Sequence, residues 1–323
     1  MQSVTLLLSL LAVATEAAPQ FGGLGGGSGG SSGGGLGGLL GGGGGGGLGG
    51  LLGNLLGGLL GGSGGFASLG EPSTGGSGPY PANFSTDPGL PKHTIYLPNE
   101  IPADLKLPVL VWGNGGCMAD GTGFQGALTE WASHGFLVIA NGSPGGSGQT
   151  TSDMLLQSIE FVTQNAGNGK YANIDASRIA AAGQSCGGLE AYDVAPDPRV
   201  SAIGIFNSGE FTDSASQQTI AQLQQPVFYF LGGPDDIAYE NGERDFQNLP
   251  SNIPSWKGNL PVGHMSTFMD KDAGKVGVAG GNWLKWLLKG DQEAAQWFTS
   301  GSAQQAGWDV EEKNLQSIQV TPI

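Results

Sequence analysis

A few residues of this chain have the types and spacing for nucleophilic chemistry. Ser185 stands at the centre of Gly183-Gln184-Ser185-Cys186-Gly187, which fits the pattern G-x-S-x-G. A serine hydroxyl attacks a carbonyl only when a base takes its proton, and that base needs an acid to orient it. The pattern alone discriminates poorly, because Gly26–Gly30 and Gly61–Gly65 fit it through glycine abundance. Only Ser185 follows an apolar, strand-like run, Ile179-Ala180-Ala181-Ala182, and precedes a helix-like segment. In that setting the serine is expected on a sharp, strained strand-to-helix turn, where side chains two residues either side would collide. A helix N-terminus there also places positive potential near a developing oxyanion. The alternative is an ordinary Gly-rich turn with a solvated serine.

The chain has three histidines. His93 and His134 precede Ser185, and His134 stands before Gly135 at an expected helix end, where a cation suits the dipole. His264, in Gly263-His264-Met265, lies downstream, where the order serine, acid, histidine requires the base. A structural loop histidine is the alternative. Two acids follow the apolar run Pro226–Leu231, in Gly233-Pro234-Asp235-Asp236-Ile237. Spacings of 236 − 185 = 51 and 264 − 236 = 28 leave room for one βα unit and one helix–strand unit. Asp236 is the preferred acid; Asp235 remains the rival, the other of the two serving as a cap or loop acceptor.

An oxyanion needs two backbone N–H donors. One comes from the residue after the nucleophile, here Cys186; the other comes from the loop after an early strand. That loop is Trp112-Gly113-Asn114-Gly115-Gly116-Cys117, and the second donor is placed at Gly116, with Gly115 and Cys117 as neighbours. The chain has two cysteines, Cys117 and Cys186, one in each loop. The expected fold brings those loops together, and a secreted chain with two cysteines favours a disulfide. Two buried free thiols are the alternative. Asn114, Trp112 and Tyr239 stand where they either line the site or pack beneath it.

These residues need a scaffold, and the sequence alternates short apolar runs with helical stretches, the signature of a mostly parallel sheet covered by helices. Strands are expected at Leu107–Trp112, Phe136–Ala140, Arg178–Gly183, Val200–Phe206, Pro226–Leu231 and Trp256–Val262, with His93–Leu97 as an edge strand. Helices are expected at Phe124–Ser133, Ser152–Asn165, Leu189–Val194, Ser214–Leu223 and Tyr239–Leu249, and a last one at about Lys275–Leu288. One α/β domain, residues 80–300, accounts for all of them, followed by a C-terminal tail, 301–323.

The first quarter of the chain is different. Of 63 glycines, 32 fall between Phe21 and Pro79. Residues 1–18 read as a secretory signal: Val4–Val13 is apolar but too short to span a bilayer, and small residues at Thr15, Ala17 and Ala18 follow. Its only positive charge is the α-amino group. Residues 19–79 form a Gly/Leu/Ser tract and linker. Leu48, Leu51, Leu52, Leu55, Leu56, Leu59 and Leu60 make a helical stripe, but each interspersed glycine costs about 1 kcal/mol relative to alanine. The tract is therefore read as low complexity, with attachment to a wall or lipid surface as the competing expectation. Net charge is −15, with no Lys or Arg before Lys92, which argues against nucleic acid as a partner. Sequons stand at Asn83 and Asn141; Asn83 is the better candidate, because Asn141 directly follows an expected buried strand.

The motifs Val111-Trp112-Gly113-Asn114-Gly115-Gly116-Cys117, Gly183-Gln184-Ser185-Cys186-Gly187-Gly188, Asp236-Ile237-Ala238-Tyr239 and Gly263-His264-Met265 resemble those of the α/β-hydrolase superfamily. The resemblance is to secreted, mainly fungal relatives of dienelactone hydrolases, polyester hydrolases and cutinase-like enzymes. It covers about Tyr80 to Phe298, with Trp283–Asp291 resembling the closing helix of such domains. It implies a doubly wound α/β-hydrolase fold and hydrolysis of carboxylic esters, polymeric ones included, through an acyl-enzyme and without a cofactor. Asp-x-Ile-Ala in polyester hydrolases would favour Asp235; the Asp-Ile-Ala-Tyr form favours Asp236. The short stretch between Val200 and Pro226 leaves no room for a large lid domain. Two other functions compete: a serine peptidase, and a wall- or surface-associated protein that keeps the fold without the activity.

Overall fold

Six largely buried runs, most of them apolar, lie side by side as parallel strands, both of their faces covered. A computed structural model describes residues 73–323. The expected signal segment and the tract as far as residue 72 lie outside the described residues. The six are β3 (Leu107–Gly113), β4 (Leu137–Asn141), β5 (Ile174–Gln184), β6 (Val200–Phe206), β7 (Val227–Leu231) and β8 (Ser255–Asn259). With β1 (Ala82–Ser85), β2 (His93–Pro98) and β9 (Asp309–Lys313) they form one nine-stranded sheet in the order β1-β2-β4-β3-β5-β6-β7-β8-β9. β2 runs antiparallel to both neighbours and β9 to β8.

Alternate residues of each strand point to opposite faces. On one face Trp112, Phe206, Phe230 and Trp256 meet helices α1 (Gln125–Ser133) and α6 (Gly274–Lys289) through Trp131 and Trp283. On the other, Val109, Ile139, Ile205 and Tyr229 meet α2 (Ser152–Asn165), α3 (Cys186–Val194), α4 (Asp213–Ile220) and α5 (Tyr239–Asn248) through Leu155, Ile159, Tyr192, Ile220 and Phe246. Two layers of helices therefore clamp one sheet. From β3 the chain steps to β4 on one side and returns to β5 on the other. The carboxyl ends of β3 and β5 thus flank a reversal of strand order, where α/β sheets open a crevice.

Four expectations are corrected. The strand beginning at His93 is internal, because Ala82–Ser85 pairs outside it. The strand expected to reach Val262 ends at Asn259; Pro261, lacking an N–H, cannot continue a ladder. The domain does not end at residue 300. Helices α7 (Gln292–Thr299) and α8 (Ser302–Gln305) lead into β9, an edge strand whose Asp309, Glu311, Glu312 and Lys313 hid it from a search for apolar alternation. Charges of this kind protect a sheet edge from unwanted pairing. The last linker residues, 73–79, are also tied down. Ser77 donates its N–H and hydroxyl to the Glu130 carboxylate at 2.6 and 2.7 Å, and the Ser73 hydroxyl reaches Asp272 at 3.0 Å.

Two buried acids give the fold a pH dependence. Burial pushes the Glu190 carboxyl up to about 7 and that of Asp245 up to about 6, against the hydrogen bonds that each accepts. A carboxyl raised in the fold contributes stability that is complete below its unfolded value, about 4, and is lost as pH rises through the folded one. Each loss is on the order of 3 kcal/mol. Between pH 5 and pH 8 about 4 kcal/mol of this is lost, so the thermal midpoint is expected to drop by roughly 8–16 °C, and by visibly less in Glu190→Gln. Calorimetric scans at the two pH values check this; equal midpoints would contradict it.

Candidate active site

Ser185 occupies a backbone conformation that L residues avoid, φ 53° and ψ −118°, between the end of β5 and the start of α3. Such strain costs on the order of 1–3 kcal/mol and persists only where the surroundings enforce it. Here the Ser185 N–H donates to Phe206 O at 2.9 Å, and the Ser208 hydroxyl donates to Ser185 O at 2.6 Å. The flanking glycines follow from crowding. A Cβ on Gly187 would lie 2.0 Å from the carbonyl oxygen of Gly113, and one on Gly183 would lie 2.2 Å from the carbonyl carbon of Gly187. Strand β3, the turn and the helix start meet there at backbone contact.

The loop after β8 delivers His264. Its Nε2 lies 2.9 Å from Ser185 Oγ, and its Nδ1 lies 2.6 Å from Asp236 Oδ1. A carboxylate accepts only, so Nδ1 carries the proton and Nε2 presents its lone pair to the serine hydroxyl. Asp236 is buried and Asp235 exposed, which separates the two candidates by geometry. The Asp236 carboxylate also accepts from the N–H groups of Gly232 (3.0 Å) and Ala238 (2.9 Å) and from Asn207 Nδ2 (2.8 Å). Burial pushes this carboxyl up, but His264 and the other donors outweigh it and hold it below the ordinary aspartate value. The other histidines are remote in role: His134 caps α1 and pairs with Glu130 at 3.0 Å, while buried His93 donates from Nε2 to Met154 O at 2.9 Å.

The second loop follows β3. Gly115–Cys117 forms a 3-10 turn with Gly116 at φ 63° and Cys117 at φ 50°. Cys186 is the first residue of α3, so its N–H has no acceptor within the helix. A disulfide joins Cys117 to Cys186, with their Cα atoms 5.3 Å apart. The three uncertain lining residues separate. Trp112 is fully buried against Phe124, Trp131 and Phe206. Buried Asn114 pins its own loop, donating from Nδ2 to Met118 O, Asp120 O and Asn141 O at 2.9, 3.1 and 2.6 Å. Tyr239 is half-buried beside the second core cluster.

Sequence reasoning missed two residues here. Gln184, buried beside Ser185, donates from Nε2 to His264 O at 3.0 Å and so ties the nucleophile turn to the histidine loop. Asn207, fully buried at φ 46° after β6, holds Asp236 from the side opposite His264. No pattern marked Asn207, because its partners arrive from other strand ends. A hydrogen bond to a charged group is worth about 1.5–3 kcal/mol. On the expectation that the chain hydrolyses esters, Asn207→Ala should lower kcat/KM about 10- to 100-fold, and Asn207→Asp further, by setting a like charge beside Asp236. Steady-state kinetics on both variants checks the order.

Among the described residues, no three His, Cys, Asp or Glu side chains converge as a metal site would. No protein-family model matches the chain, and no curated protein matches it. The sequon asparagines differ: Asn83 is exposed on β1, whereas Asn141 is fully buried, its Nδ2 donating to Glu190 at 2.8 Å.

Proposed function

We propose that this protein is a serine hydrolase of the α/β-hydrolase type, and within that class a carboxylic ester hydrolase. One observation carries the reading: Ser185, on a strained turn, lies in line with His264 and buried Asp236 at 2.9 and 2.6 Å. In the proposed reaction His264 Nε2 takes the Ser185 proton as Oγ attacks the ester carbonyl. The tetrahedral oxyanion is stabilised by the N–H groups of Cys186 and Gly116. The proton passes to the leaving alcohol, and an acyl group remains on Ser185. Water, deprotonated by His264, then releases the acid and restores the serine. Asp236 keeps the imidazole in the tautomer that both half-reactions need.

Exposed apolar side chains near in sequence to the acid and the histidine favour ester substrates with apolar acyl groups. Ile237 follows Asp236, Val262 precedes His264 by two residues and Met269 follows it by five; all three are exposed apolar side chains. The stretch between β6 and β7 holds only the short helix α4, consistent with an open site. The disulfide supports release to the exterior as part of the proposal. The test is hydrolysis of p-nitrophenyl esters from acetate to palmitate by the purified protein. Turnover with a chain-length optimum supports the reading, and its absence across the series from folded protein counts against it.

A further inference from the structure

Glu190 is a buried acid that the proposed reaction does not use. It lies on α3, the helix that begins just after Ser185, and is 5% exposed. Its two carboxylate oxygens take two different donors. Oε1 accepts from the Thr150 hydroxyl at 2.6 Å, and Oε2 accepts from Asn141 Nδ2 at 2.8 Å. Both donors lead to the oxyanion loop. The Thr150 N–H donates to Cys117 O at 2.7 Å. Asn141 O accepts from Asn114 Nδ2 at 2.6 Å, and the same amide holds Met118 O and Asp120 O. The carboxylate also sits directly against the start of the loop: a Cβ on Gly113 would lie 2.9 Å from Glu190 Oε2.

We infer that Glu190 is a positioning residue that holds the loop 113–120, and with it the Gly116 N–H, in register with Ser185 through Thr150 and Asn141. The inference rests on the hydrolase reading for its kinetic consequence, while the clamp itself rests on the contacts. A carboxylate suits the place because two donors face it and an ionised carboxylate offers only acceptors. Glutamine would turn an NH2 toward one of those donors and lose that bond. The clamp stands on the helix that begins directly after the serine, so the distance between serine and oxyanion donor is set by that helix and its strained entry turn as well as by the disulfide.

The ionised form is the one that holds both donors. Burial works against it, Thr150 and Asn141 favour it, and the like charge of Asp193 disfavours it again, leaving the carboxyl at about 7. Protonation of Glu190 is therefore expected to release the clamp, so that kcat of the wild type falls with a component centred near pH 7 that is absent from Glu190→Gln.

The experiment compares wild type, Glu190→Gln, Thr150→Val and Thr150→Ser on one p-nitrophenyl ester, with amide hydrogen exchange of residues 113–120 measured in each. Glu190→Gln and Thr150→Val are expected to lose about 10- to 100-fold in kcat with KM within about twofold. Both should exchange their loop amides faster, and Thr150→Ser should restore both readouts. Wild-type kcat and unchanged loop exchange in Glu190→Gln would overturn the clamp. Fluorophosphonate labelling of Ser185 in the wild type reads the hydrolase assignment separately. Failure to label, with loop exchange still accelerated in Glu190→Gln, would remove the reaction and leave the clamp standing. Normal labelling with unchanged exchange and kcat in the variant would do the reverse.

Discussion

Ser185→Ala is expected to lower ester turnover by about 10⁴-fold or more while the protein stays folded. The loss is large because the hydroxyl is the atom that bonds to the substrate, and His264 Nε2 is left with no proton to take. What remains is the rate that oxyanion stabilisation and binding give to direct attack by water. The fold should survive, because the side chain is removed from a turn whose backbone is held by Phe206 O and the Ser208 hydroxyl. Alanine at φ 53° keeps the strain without its use. Initial rates with a p-nitrophenyl ester, beside a thermal midpoint within a few degrees of wild type, check both halves. Retained turnover would place the chemistry elsewhere.

The second large effect separates two neighbouring acids. Asp236→Asn is expected to cost on the order of 10⁴-fold in kcat, because an amide can turn its NH2 toward Nδ1 and favour the wrong imidazole tautomer. It would also face the Asn207 and Gly232 donors with a group that cannot accept from all of them. Asp235→Asn, at an exposed position one residue away, should stay within about twofold of wild type. Parallel kcat measurements decide. Equal losses would mean that the buried carboxylate is not the one orienting His264.

The parallel strands were legible because burial on both faces makes them continuous apolar runs, as in Leu107–Val111 and Val227–Leu231. The meeting of Ser185 with His264 was legible for a different reason: few histidines compete, and the glycines around Ser185 are forced by the approach of β3 to α3. Asp235 and Asp236 could not be separated by spacing, since they differ by one residue. The turn separates them, with Asp236 N–H donating to Gly233 O at 2.8 Å and its side chain turned inward. Edge strands were missed where they carry charge or are very short, as at Asp309–Lys313 and Ala82–Ser85. The supporting polar residues were missed throughout. Gln184, Asn207, Thr150 and Glu190 make their hydrogen bonds to segments far away in the chain, and such pairs leave no period and no motif. Patterns in sequence report burial and backbone demands; they do not report which distant donor meets which acceptor.

The most direct test of the account is covalent labelling of the whole protein with a fluorophosphonate, read by intact mass and by peptide mapping. Phosphonylation needs an activated serine with an oxyanion site, and it does not require the natural ester to be known. One adduct per chain is expected, on the peptide containing Ser185, absent in Ser185→Ala and much slower in His264→Ala. A folded protein that takes no label, or takes it on a serine other than Ser185, would contradict it.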